Sequence, residues 1–200
     1  MKTNQDAIGV IHYFYHCIGQ ELPVRDILNS NGKGHKTEPH YENLTENWFS
    51  ECHNKRIKLA NREMVDYLFL MTRFRNQNSN LNNKLLVVGY LKRAEPSVWI
   101  KRSKNIPSGM DPYYPEPKLC GFFVGDEKKS HFVRAKHAYE LKDLDNARHR
   151  SWIVDKKEAI KILHQLHKFP NILNELRIKV KELSKDTQTR KSNNCHKKTC

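Results

Sequence analysis

The sequence predicts an α+β protein, a β-rich body followed by a helical C-terminus, and two observations carry that reading. Between Ile57 and Leu141 lie the short apolar runs IKLA, DYLFLMTRF, KLLVVGYL, SVWI, KLCGFFVG and SHFVRAKHAYEL, rich in β-branched and aromatic residues and separated by turn chemistry. After Trp152 the apolar period becomes helical. The hydrophobic fraction is only 38% and the mean hydropathy −0.81, so part of the chain must be solvated periphery.

Near the N-terminus, IGVIHYFYHCI has the aromatic and β-branched content of a buried strand, and its two histidines argue against a leader peptide. LPVRDILN suits a short helix after Pro23, and SNGKGHKTEPHYEN an exposed loop. Thr45 and Glu46 precede Trp48 and Phe49, which predicts a short helix ending at Glu51 or Cys52. NQNSNLNNK then joins two apolar runs as neighbouring strands around a loop. Gly89 interrupts the second of these, where a β-branched residue would lose less backbone entropy; a bulge, a bend, or the approach of a ligand or neighbouring backbone would each account for it.

Prolines 107, 112, 115 and 117 exclude regular ladders from a long loop over residues 101–118. In VDKKEAIKILHQLHKF, Ala159, Ile160, Leu163 and Leu166 recur at helical spacing, with Asp155 as N-cap and Pro170 as stop. A second helix follows with Ile172, Leu173, Leu176, Val180 and Leu183 on one face. The expected organisation is a β-rich domain over residues 1–154, a helical pair packed on it over 155–186, and a disordered basic tail over 187–200.

With 36 Lys and Arg against 22 Asp and Glu, the formal charge is +14, which draws phosphate backbones, anionic surfaces or acidic partners at long range. No apolar stretch approaches the roughly 18 residues of a membrane span, and no membrane partner is expected. Cys17, Cys52, Cys120, Cys195 and Cys200 are an odd, widely spaced set without CxxC pairs, as in a reduced cytoplasmic protein.

Cys195, His196 and Cys200 lack a fourth ligand and an apolar anchor, and His12, His16 and Cys17 read as core residues, so no metal or other cofactor is expected. A carboxylate pair with a nearby lysine would suit magnesium-dependent nucleic-acid cleavage, but the nearest match, Asp111 with Glu116 and Lys118, is broken by prolines. Asp126, Glu127 and Lys128 read as a polar turn. GxSxG, P-loop and GxGxxG patterns are absent, so no catalytic residue is assigned. The aromatic residues are more informative. Trp48 and Trp99, near Arg73, Arg75, Lys92, Arg93, Lys101 and Arg102, have the chemistry that stacks bases and holds phosphates.

Over residues 48–99 the order of Trp48, REMVDYLFLMTRF and KLLVVGYLKRAEPSVW resembles the central part of PUA-like domains of the EVE, YTH and nucleotide-modification-associated type. Asp66 matches the family's turn aspartate, Thr72 its hydroxyl residue, and Val87, Val88 and Gly89 its second-strand signature. Val65 stands where the family has glycine, and Leu70 or Met71 where it has an aromatic residue. The resemblance implies a small PUA-like β-barrel with peripheral helices and an aromatic pocket for a modified base flipped from its strand. On that reading Trp48, Thr72, Gly89 and Trp99 form the base pocket, and Arg73, Arg75, Lys101 and Arg102 contact phosphates of DNA or RNA. Two alternatives stay open: a nuclease or nucleic-acid-processing enzyme of a defence or mobile-element system, and a partner-binding protein that oligomerises through its C-terminal helices.

Overall fold

The structure, a computed structural model, describes residues 7–13, 21–23, 47–50, 60–61, 63–74, 77–95, 122–142, 152–179 and 182. Among the described residues there are eight strands: β1 (Ala7–Tyr13), β2 (Asn47–Ser50), β3 (Tyr67–Arg73), β4 (Leu85–Lys92), β5 (Phe122–Gly125), β6 (His131–Phe132), β7 (Tyr139–Leu141) and β8 (Trp152–Asp155). Helix α1 (Lys156–Leu166) follows, then a second helix, α2, over residues 173–179.

Six strands make a mixed sheet in the order β6-β4-β3-β1-β8, with β7 also paired to β4, while β2 and β5 form a separate antiparallel pair. β1 and β3 run parallel, so the chain between them makes the crossover that a parallel pair requires. β3–β4 and β1–β8 are antiparallel. The fold class is therefore α+β, as the sequence predicts. The expected barrel is not formed: among the described residues the sheet is open, ending in β8 at one side and in β6 and β7 at the other. A helix takes the place of closure, because β8 runs straight into α1, which packs back over β1, β4, β7 and β8.

Both faces of the sheet are covered, which is why β4 is buried along almost its whole length and reads as an apolar run interrupted only by Gly89. On one face Val10, Leu68, Leu70 and Val88 pack with Phe123, Phe132, Leu173 and Leu176. On the other, Ile11, Phe69, Val87 and Val154 meet Ala159, Ile162 and Leu166 of α1. The Asp155 carboxylate caps α1, its Oδ1 accepting from the Glu158 N–H at 2.8 Å. Ile160, expected on the inner face, is 54% exposed, and Ile162 takes its place. Asn171 starts α2 and ties it to the sheet: its Oδ1 accepts from the Leu173 and Phe132 N–H groups, and its Nδ2 donates to Ser130 O.

Two further expectations are corrected. Trp48 and Phe49 lie on a strand, not a helix, because β2 pairs with the FFVG run of β5. Ala60, expected in a strand, is helical. Its carbonyl is held by Arg93, which donates to Ala60 O, Val65 O and Asn61 Oδ1 while stacking over Phe123. Burial pulls the Arg93 guanidinium down to about 10, which leaves it charged at neutral pH. The β3–β4 hairpin closes through Phe74 and Asn83, whose left-handed φ of 63° is one that asparagine tolerates. The turn at Asp126 is polar as expected, with its Oδ1 accepting from the Lys128 and Lys129 N–H groups.

Candidate functional site

Thr72 and Arg73, the last residues of β3, point to opposite sides of the sheet, as consecutive strand residues do. Thr72 lies opposite Leu86 and Arg73 opposite Leu85, which belong to different core faces. Thr72 is fully buried, and its Oγ1 has no hydrogen-bond partner. Arg73 donates from Nη1 to Asn83 O at 2.7 Å, but its Nε is also buried and without a partner. Two adjacent residues thus carry orphaned polar atoms at one end of the central strand. An unmade buried hydrogen bond costs about 1–3 kcal/mol. His12, fully buried on β1, belongs to the same sheet face as Thr72.

Gly89 serves β6. It lies opposite Leu70 on one side and Phe132 on the other. A Cβ there would meet Phe132 Cδ1 at 2.3 Å and His131 O at 2.6 Å. The register shift between Leu70 and Met71 adds one residue to β4 at Val88, so a bulge adjoins the glycine. Of the other predicted site residues, Trp48 sits on β2 opposite Val124. Arg75, Trp99, Lys101 and Arg102 lie outside the described residues, as do the loop over residues 101–118, Asp111, Glu116, His16, Cys17 and the residue 187–200 tail with its Cys195, His196 and Cys200. Among the described residues, no three His, Cys, Asp or Glu side chains converge to hold a metal ion.

The structure also assembles a constellation that sequence reasoning missed. Tyr67, Tyr90, His131 and His167 meet where β4, β6 and the C-terminal end of α1 come together. Tyr90 Oη lies 2.7 Å from His167 Nε2, and the rings of His131 and His167 are 4.9 Å apart. Burial, then the neighbouring Tyr67, pushes the Tyr90 phenol up to about 12, so it stays protonated at neutral pH. Burial also pulls His131 below its ordinary value, with the nearby His167 adding to the effect, while carbonyls of Phe169 and Leu166 oppose it. Lys92 lies over the Tyr67 ring and pairs with Asp66 at 2.8 Å. Only Tyr67 and Tyr90 share a local signal, the aromatic content of paired strands; the histidines lie 41 and 77 residues beyond Tyr90.

No described helix is long and apolar enough to cross a membrane. No protein-family model matches the chain, and neither a curated protein nor a solved structure matches it.

Proposed function

We propose that the chain is a nucleic-acid-binding protein that reads a base, including a modified one, at the end of β3, in the manner of a PUA-like domain. The observation that carries this reading is the pair of orphaned side-chain groups on Thr72 and Arg73. A buried hydroxyl and a buried guanidinium N–H without acceptors are retained at a cost in stability, and a bound partner with acceptor atoms would satisfy both. The charge of +14 favours a polyanion as that partner. Displacement of the cover over the sheet face that carries Thr72 would let a base edge hydrogen-bond to its hydroxyl, while Arg73 would hold a phosphate around the strand end.

Binding of fluorescently labelled DNA and RNA oligonucleotides across a salt series tests the reading. The affinity should fall steeply with salt, and Arg73→Gln should lower the slope of log K against log salt by about 0.7–0.9. Thr72→Val should weaken the preferred base by roughly tenfold with the slope unchanged. Salt-independent binding, or a Thr72→Val variant that keeps the wild-type preference among the bases tested, would overturn the proposal.

A further inference from the structure

The outer face of α1 and the turn after it differs in charge from the rest of the described surface. Between Lys156 and Lys168 the exposed residues are Lys156, Lys157, Ile160, Lys161, His164, His167 and Lys168. At 3.6 residues per turn they fall within about 140° of arc. Four are lysines, two are histidines and none is a carboxylate; Glu158 is turned half inward. Several cations elsewhere meet acids, as Lys84 meets Glu140, Lys92 Asp66, Arg134 Glu175 and Arg177 Glu127. Among the described residues none of these four lysines is ion-paired, and Lys168 donates only to the neutral Gln165 amide.

At its N-terminal end this pattern works against the helix, although Asp155 and Glu158 offset it there and Lys168 suits the other end. Lys156 and Lys157 occupy the first turn, where the helix dipole favours acids, and Lys157 and Lys161 are like charges at i,i+4. A face kept at such expense points to a ligand that repays it.

We infer that this face docks the phosphodiester backbone of a nucleic-acid strand, independently of base identity; the inference rests on the nucleic-acid reading above and extends the site to a second surface. From Lys157 to Leu166 α1 rises about 14 Å, about four axial phosphate spacings of one duplex strand. A membrane surface is the weaker occupant, because the apolar face of α1 is already committed to the sheet through Ala159, Ile162 and Leu166. Ile160 alone is left to enter a bilayer.

The experiment compares the full chain with Lys157→Glu/Lys161→Glu and the neutral Lys157→Gln/Lys161→Gln, using a labelled oligonucleotide in a salt series and vesicles containing phosphatidylserine. The glutamine pair should lower the salt slope by about 1.4 on a single strand. The glutamate pair should lose more affinity than that while its melting temperature holds or rises. Base discrimination, read by Thr72→Val, should persist in both. Unchanged oligonucleotide affinity in the glutamate pair would overturn this inference and leave the base-reading proposal standing. Loss of affinity on α1 together with no effect of Thr72→Val would do the reverse. Vesicle binding that the glutamate pair abolishes, with no oligonucleotide binding by the wild type, would overturn both.

Discussion

Tyr90 Oη lies 2.7 Å from Nε2 of His167, joining strand β4 to the residue that caps α1. Because burial pushes the phenol up to about 12, Tyr90 keeps its proton throughout the neutral range. Tyr90→Phe removes the bond while keeping the ring against Tyr67 and Phe69. We expect a loss of about 1 kcal/mol in urea unfolding. His167→Ala combined with Tyr90→Phe should cost less than the sum of the single changes. Strict additivity would show that the contact contributes nothing to stability.

His131 gives stability a dependence on pH. Its folded-state pKa lies below the ordinary 6.5, so below that value the unfolded chain binds more protons than the folded one. The contribution is therefore fully present above pH 6.5 and is lost as pH falls through the lower, folded value. Tyr90 and His167 face the His131 ring. The urea midpoint should drop between pH 7.5 and pH 5, and His131→Asn should flatten the drop. An identical pH profile in the variant would refute the assignment.

Local chemistry made some of this architecture legible and long-range pairing hid the rest. β3 and β4 announce themselves because a strand buried on both faces needs consecutive apolar residues. Asp155 is recognisable as an N-cap because a carboxylate three residues before a backbone N–H satisfies it locally. Ile160 was misplaced because 159, 160, 163, 166 and 159, 162, 166 are both fair helical stripes, and only the angle at which α1 meets the sheet chooses between them. Trp48 and Phe49 fail in the same way: a two-residue apolar patch fits a helix or a strand until β5 pairs with it. Of the site, Thr72 and Arg73 were legible as residues, but their missing partners were not. Barrel closure and the Tyr90–His167 contact depend on which distant edges meet.

Gly89 tests the contact between β4 and β6. An added Cβ would sit 2.3 Å from Phe132 Cδ1 and 2.6 Å from His131 O, so one of the two strands must move. Gly89→Ala should destabilise by about 1–3 kcal/mol, and Gly89→Val by more. Phe132→Ala in the same chain relieves the ring contact but leaves the one to the backbone oxygen, so it should not restore the midpoint. A fully stable Gly89→Val would show that β6 is free to separate from β4.

Thr72 separates a structural hydroxyl from a functional one. Its Oγ1 is buried without a partner, so the folded protein without ligand bears the desolvation of that group and receives nothing for it. Valine has nearly the same shape and no hydroxyl. Thr72→Val should therefore leave the unfolding free energy unchanged or raise it by up to about 1 kcal/mol, measured without nucleic acid. With a saturating oligonucleotide present, the order should invert, because the wild type gains more from ligand linkage than the variant does. A variant less stable than wild type by more than about 1 kcal/mol without ligand would mean that the hydroxyl is already satisfied within the fold, and Thr72 would lose its claim to a binding role.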